Sequence, residues 1–112
     1  MEVRSPRDDE RGYIRETALK VLKPAGVRWR EWEALRGPEI ADLDADVAVE
    51  DGMIAGFCLR ARQGGPIRLL YVRKNARGYG IGRILWERAW GNPATATGIG
   101  PWSDLGVSRR TL

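Results

Sequence analysis

Apolar residues in the first third of the chain recur at helical spacing. The pattern predicts a helix from about Asp8 to Lys23, capped by Asp8 or Asp9 and ended by Pro24 and Gly26. A second, shorter helix is predicted around Trp29–Leu35, closed by Gly37-Pro38. The first helix carries its apolar stripe at Ile14, Ala18, Val21 and Leu22. This part of the chain is therefore predicted to be mostly helical.

After residue 46 the pattern changes to short apolar runs between turn signals. The runs predict three strands, at Val47–Val49, Ile54–Arg60 and Ile67–Val72. Asp51-Gly52 is a hairpin signal, and residues 63–66 form a second turn. We expect an antiparallel meander, in which the third strand is nearly all apolar and suits a central position.

The sequence after the third strand predicts a change from antiparallel to parallel strand pairing. A helix is expected from about Tyr79 to Trp90, and Ala94–Gly98 is a candidate strand parallel to the third, joined to it by a right-handed crossover. Trp102–Leu105 is a candidate helical turn, and Val107–Leu112 is either an edge strand or a frayed end. The expected fold class is α/β, with a mixed sheet (antiparallel meander, then a parallel β-α-β unit) flanked by helices. Residues 1–112 are expected to form one domain.

The amino-acid composition excludes several kinds of bond, catalytic mechanism and metal site. The 112-residue chain has one cysteine and no histidine, which excludes an intrachain disulfide, imidazole catalysis and the common kind of zinc site. We expect no metal. The charged start does not resemble a signal peptide, and no apolar run is long enough for a membrane span. We expect a soluble, cytoplasmic protein. The net charge of +4 favours anionic partners.

The strongest chemical signal is the segment Arg77-Gly78-Tyr79-Gly80-Ile81-Gly82, between an apolar strand and a helix. A helix N-terminus has unpaired N–H groups and a partial positive charge, and glycines there let a phosphate approach the backbone. Arg73, Lys74 and Arg83 add positive charge. The segment matches neither the P-loop nor the complete G-x-G-x-x-G dinucleotide fingerprint. It therefore predicts a different pyrophosphate-binding turn.

The segment reads R-x-x-G-x-G and resembles the pyrophosphate loop of the GNAT acyltransferases. Leu69–Val72 resembles the fourth strand of that family, and Ile84-Leu85 resembles the start of its third helix. Trp102–Val107 is similar to a diverged copy of its Y-x-x-x-G-F segment. The N-terminal part looks most similar to compact GNAT-like proteins of phages. The resemblance implies that acetyl-CoA is a co-substrate.

The resemblance also implies roles for individual residues. The backbone of Val72 and Tyr71 would hydrogen-bond the pantetheine arm, and Arg77 would add charge at the pyrophosphate. The acyl carbonyl would lie near Tyr71 and Thr97. Backbone N–H groups that would hold the pyrophosphate belong to Gly78, Tyr79, Gly80, Ile81, Gly82 and Arg83.

Candidate catalytic groups are sparse. Many family members carry a carboxylate on the fourth strand, but Ile67–Val72 has only Arg68 as a charge. Many family members have a tyrosine that acts as the general acid in the last of these segments. This chain has Trp102 at that position, and the adjacent Ser103 is a weak substitute as a proton donor. Tyr71 is the other candidate, although a half-buried sheet tyrosine with no catalytic role is the commoner situation. Glu50 and Asp51 are interpreted as solvated turn residues.

Three functions remain open from the sequence. The first is transfer of an acetyl group from acetyl-CoA to a primary amine, on a small molecule, a protein lysine or a protein N-terminus. The second is a degenerate GNAT fold that binds CoA or a protein partner without turnover. The third is nucleic-acid binding, but no recognisable motif supports it. We expect no specific nucleic acid and no membrane as partners, and a homodimer is the oligomer to consider.

Overall fold

The computed structural model describes residues 1–62 and 65–90. The chain divides into two compact units. Pro6–Leu43 form the first, and Met1–Ser5 together with the chain from Asp44 onward form the second. No helix within the described residues is both long enough and apolar enough to cross a membrane.

The first unit is a pair of helices, α1 (Asp8–Leu22) and α2 (Trp29–Ala41). The cap of α1 differs from the prediction, because Asp8 is already helical and Arg7 is the N-cap residue. The Arg7 N–H donates to Glu10 Oε1 at 2.7 Å, which satisfies a backbone donor at the helix start. Between the helices, Trp32 Nε1 donates to the carbonyl oxygen of Leu19 at 2.8 Å.

The prediction that Gly37-Pro38 ends the second helix is wrong. The helix continues to Ala41, and the Asp42 N–H donates to the Pro38 carbonyl oxygen at 3.2 Å. Proline removes one helical hydrogen bond but leaves its own carbonyl available to the next turn. Gly37 is buried, and a Cβ there would lie 2.5 Å from Arg15 Nη2. Gly37 therefore makes room for the Arg15 guanidinium and does not end the helix.

The second unit contains a four-stranded antiparallel sheet, in the order β1-β2-β3-β4. Its strands are β1 (Glu2–Arg4), β2 (Asp44–Glu50), β3 (Met53–Arg60) and β4 (Ile67–Val72). The predicted meander is confirmed, but β2 is longer than predicted. The sequence pattern does not predict β1, since a three-residue strand with one apolar residue has no detectable periodicity. The predicted parallel strand Ala94–Gly98 lies outside the described residues.

Helix α3 (Ile81–Trp90) packs on one face of this sheet, which confirms the α/β fold class. Ala48, Gly56 and Val72 are cross-strand partners on that face. A Cβ on Gly56 would lie 3.3 Å from Leu85 Cδ1 and 2.6 Å from the backbone oxygen of Tyr71. The absence of a side chain at Gly56 therefore lets α3 approach the sheet closely.

A buried carboxylate, Asp46, joins three elements of this unit. Asp46 Oδ2 accepts from Arg60 Nη1 on β3 at 2.6 Å, and Asp46 Oδ1 accepts from Arg88 Nε on α3 at 3.2 Å. The Asp46 side chain is 5% exposed, whereas Arg60 is 22% exposed and Arg88 is 45% exposed. The two arginines thus compensate a charge that is almost fully removed from water.

Cys58 gives the protein a predictable response to alkaline pH. Burial, with a smaller effect of the Asp46 charge, raises the pKa of its thiol from 9.0 to about 12, although Arg60 opposes the shift. The folded state holds this proton more tightly than the unfolded state does. The resulting stability is present below about pH 9 and is lost as pH rises toward 12.

We therefore expect the free energy of unfolding to fall by up to about 1.4 kcal/mol per pH unit between pH 9 and 12 because of this thiol. Urea unfolding of wild type and Cys58→Ala between about pH 8 and 11 isolates the effect. The difference between the two proteins should shrink as pH rises. A difference that does not change with pH would contradict the expectation.

Candidate functional site

The turn between β4 and α3 is fixed at both of its ends. The Arg73 N–H donates to the Ala55 carbonyl oxygen at 2.8 Å, which holds the end of β4 against β3. A short 3-10 turn, Lys74–Ala76, follows. Arg77 Nε then donates to the Val72 carbonyl oxygen at 3.0 Å. Arg77 therefore ties the turn back to the end of the strand.

Two glycines shape the open part of this turn. Gly78 has φ +90° and Gly80 has φ +78°, a conformation that other residues rarely adopt. A Cβ built at either position meets nothing within 4 Å. The Ile84 N–H donates to the Gly80 carbonyl oxygen at 3.1 Å, so Gly80 immediately precedes the first turn of α3. The glycines are thus needed for the backbone conformation, and the space beside them is free.

The N-terminus of α3 offers hydrogen-bond donors and positive charge to an anion. Backbone N–H groups of a first helical turn have no partner within the helix, and they carry partial positive charge. Ile81 and Leu85 are buried and hold this end of α3 in place. Arg83 is exposed and pairs with Glu87 at 2.9 Å. The segment predicted to bind a pyrophosphate, Arg77 to Arg83, therefore comprises the exposed glycine turn and the first residues of α3.

Tyr71 and Val72 lie on opposite faces at the end of β4. The Tyr71 ring stacks on Phe57, with centroids 5.1 Å apart, on the face away from α3. The Val72 side chain is buried on the α3 face. The Val72 carbonyl already accepts from Arg77 and retains one lone pair for a second donor. That Tyr71 faces a substrate and that Val72 binds pantetheine remain predictions.

A cavity of about 300 Å³ lies beside the turn. It is lined by both carboxylates of the β2–β3 hairpin tip, and by residues of the turn. Its polar and larger lining residues are Glu50, Asp51, Met53, Arg73, Asn75 and Tyr79. Glu50 and Asp51 are exposed residues at the hairpin turn, as interpreted from the sequence, and they also line this cavity.

The position of Glu50 and Asp51 beside the glycine turn follows from the antiparallel pairing of the strands. The meander pairs Gly56 of β3 with Val72 of β4, so the Asp51-Gly52 tip lies at the same sheet end as the close of β4. Asp51 has φ +52° and Gly52 has φ +76°, as a tight hairpin turn with two left-handed residues requires. Hairpin register alone therefore brings the carboxylates to the glycine turn.

Three predicted site residues belong to the part of the chain beyond residue 90. Ser103, Trp102 and Thr97 lie outside the described residues. Arg68 is the one charged residue of β4 and is exposed. Within residues 1–62 and 65–90, no three His, Cys, Asp or Glu side chains are grouped so that they could hold a metal ion.

A comparison with known protein families gives a match that includes the glycine turn. The family model described as Acetyltransferase (GNAT) domain matches residues 38–100, which is more than half of the 112-residue chain. The matched span contains β2, β3, β4, the glycine turn and α3. A comparison with curated proteins gave no match.

Proposed function

Because the chain belongs to the GNAT acyltransferase family, we propose that it transfers an acetyl group from acetyl-CoA to a primary amine. Members of this family generally use acetyl-CoA and act on amine acceptors. One observation carries the proposal: a glycine turn with free space at Gly78 and Gly80, at the N-terminus of α3. Such a turn can hold a pyrophosphate through backbone N–H groups without any side chain.

In this proposal the pyrophosphate of acetyl-CoA lies on the backbone of Gly78 to Arg83, and the pantetheine arm runs along Tyr71 and Val72. The ammonium of Lys74 is exposed and carries no competing contact among the described residues, so its charge is available to a phosphate. Arg77 is half-buried and already bonded to Val72. We therefore assign Arg77 mainly to shaping the turn.

The acceptor is proposed as an amine on a small molecule, a protein lysine or a protein N-terminus. The amine must be deprotonated before it attacks the thioester, and the CoA thiolate must then receive a proton. Tyr71 and Ser103 are the proposed donors of that proton. We also propose a cytoplasmic location, because a protein whose single cysteine is a buried free thiol needs no oxidising compartment.

A second function has a specific observation in its favour. No carboxylate lies on β4, so the strand itself offers no side chain that would act as a base. A module that binds CoA or a protein partner without turnover has no need of one. A measurement of CoA release distinguishes the non-catalytic module from the enzyme.

For the enzyme we expect slow CoA release that rises steadily between about pH 6 and 10. Orientation of an amine against a bound thioester lowers the barrier by several kcal/mol. A tuned acid or base would add about 10²–10⁴ in rate. Without such a group, the rate follows the fraction of free amine. The measurement is CoA release with a panel of amines and peptides.

The same assay tests the proposed proton donors and the alternative. Tyr71→Phe should lower the rate if the hydroxyl acts and leave it unchanged if the ring only packs on Phe57. Ser103→Ala should reduce it modestly if Ser103 returns the proton. A bell-shaped profile centred near about pH 7 would reveal a tuned acid–base pair. If no amine releases CoA although acetyl-CoA binds, the module without turnover is the better description.

A further inference from the structure

Helix α2 has an apolar outer face. Four exposed apolar residues lie on it at helical spacing: Ala34, Leu35, Pro38 and Ala41. Leu35 is 68% exposed. Of the polar residues exposed in the same segment, Arg36 and Glu39 pair with each other at 2.8 Å. A single exposed leucine is common on a protein surface, but a contiguous group of apolar side chains favours contact with another surface.

This outer face is not the side of α2 that packs on α1. Glu33 pairs with Arg15 of α1 at 3.4 Å, and Gly37 contacts the same guanidinium. Glu33 and Gly37 are each two positions from Leu35, which places them on the opposite side of the helix. The outer face therefore has no role in holding the two helices together.

The two ends of the outer face carry opposite charges. Arg28 and Asp42 lie seven positions before and after Leu35, close to two helical turns, so both are on its side of α2. Both are exposed. Within residues 1–62 and 65–90, the Arg28 side chain has no ion-pair or hydrogen-bond partner. The partial charges of the helix ends have the same signs, positive near Arg28 and negative near Asp42.

We propose that the outer face of α2 binds the same face of a second copy of this chain, an inference that goes beyond acetyl transfer and does not depend on it. The two α2 helices would run antiparallel about a two-fold axis at Leu35. The Leu35 side chains then contact each other, and Arg28 of each copy lies opposite Asp42 of the other. One patch serves both copies, as a two-fold interface requires.

The charges select this arrangement over its alternatives. A parallel pair would place Arg28 against Arg28 and Asp42 against Asp42, with the helix dipoles aligned, and like charges across an interface disfavour it. An antiparallel pair with Leu35 opposite Pro38 would oppose Glu31 and Asp42. In the proposed register Glu31 lies opposite Glu39, whose carboxylate is already paired with Arg36.

The expected dimer is weak. One pair of short crossing helices buries less surface than the roughly 1,200–2,000 Å² of a stable interface. We therefore expect a dissociation constant on the order of 10–100 μM. Sedimentation equilibrium of the full chain between about 5 and 500 μM, a range that brackets this affinity, should show monomer and dimer in exchange.

Replacing Leu35 with glutamate should weaken the dimer by about tenfold or more, because the change is at the centre of a small interface. The matched control is Tyr13→Glu, which adds the same charge at an exposed aromatic residue of α1 that is 42% exposed. Tyr13→Glu should dimerise as wild type does. A wild type that stays monomeric throughout would overturn the proposal and leave the face to a different partner. A dimer that survives Leu35→Glu would overturn the assignment to this face.

Charge reversal tests the antiparallel register. Arg28→Glu and Asp42→Arg should each weaken the dimer several-fold, and the double variant Arg28→Glu/Asp42→Arg should restore it. Each single change places a charge that its helix end favours, so α2 should stay folded while association is lost. Circular dichroism checks the folding. A double variant that associates no better than the single variants would overturn the pairing of Arg28 with Asp42.

Discussion

Replacing Gly80 with aspartate should weaken acetyl-CoA binding by about a hundredfold or more. The new side chain would occupy the free space beside the turn, where a Cβ now meets nothing within 4 Å. Its negative charge would then lie against the pyrophosphate. Juxtaposed like charges cost several kcal/mol, and each factor of ten in affinity corresponds to about 1.4 kcal/mol. Calorimetric titration of both proteins with acetyl-CoA measures the change.

The chain offers a matched control at Gly26, in the loop between α1 and α2. Gly26 has φ +85°, and a Cβ added to it would also meet nothing within 4 Å. Gly26→Asp therefore carries the same backbone strain and the same charge change as Gly80→Asp, outside the glycine turn. Both variants should unfold at similar temperatures, but only Gly80→Asp should lose binding.

A different result would assign the turn another role. If Gly80→Asp and wild type bind acetyl-CoA equally, the pyrophosphate is not held at the N-terminus of α3. If Gly26→Asp weakens binding as much as Gly80→Asp, the loss comes from net charge and not from the turn. Gly80→Ala, which adds volume without charge, should fall between wild type and Gly80→Asp.

Removing the buried carboxylate at position 46 should destabilise the fold strongly. Asp46→Ala leaves the Arg60 guanidinium, which is 22% exposed, without its partner at 2.6 Å. Breaking a buried ion pair by removing one partner costs about 3–5 kcal/mol. We expect about 3 kcal/mol, the lower end of that range, because Arg88 is 45% exposed and can turn toward water. Urea unfolding measures the difference.

Glu39→Ala is the matched control for the buried pair. Glu39 accepts from Arg36 Nη1 at 2.8 Å, a comparable distance, but both side chains are about half exposed. Exposed ion pairs contribute at most about 1 kcal/mol. Equal losses for Asp46→Ala and Glu39→Ala would contradict the buried role of Asp46. Acetyl-CoA binding by Asp46→Ala, measured while it is folded, reports whether the C-terminal contact of α3 also supports the turn.

Features that depend on near neighbours in the chain could be predicted from the amino-acid sequence. The strand Ile67–Val72, the glycine turn and α3 follow from an apolar run, glycines at 78 and 80, and an amphipathic stripe. The hairpin at Asp51-Gly52 follows from the left-handed conformation that those residues accept. These signals are local, because backbone propensity and side-chain periodicity act over a few residues.

Features that depend on distant partners could not be predicted in this way and become visible only in the folded protein. The sequence pattern predicts a helix end at Gly37, but Gly37 lies inside α2 and contacts the Arg15 guanidinium. The strand β1 exists because Val3 pairs with Ala48, about 45 residues away. In both cases the contact comes from another element of the fold, and local propensity and periodicity, which act over a few residues, do not show it.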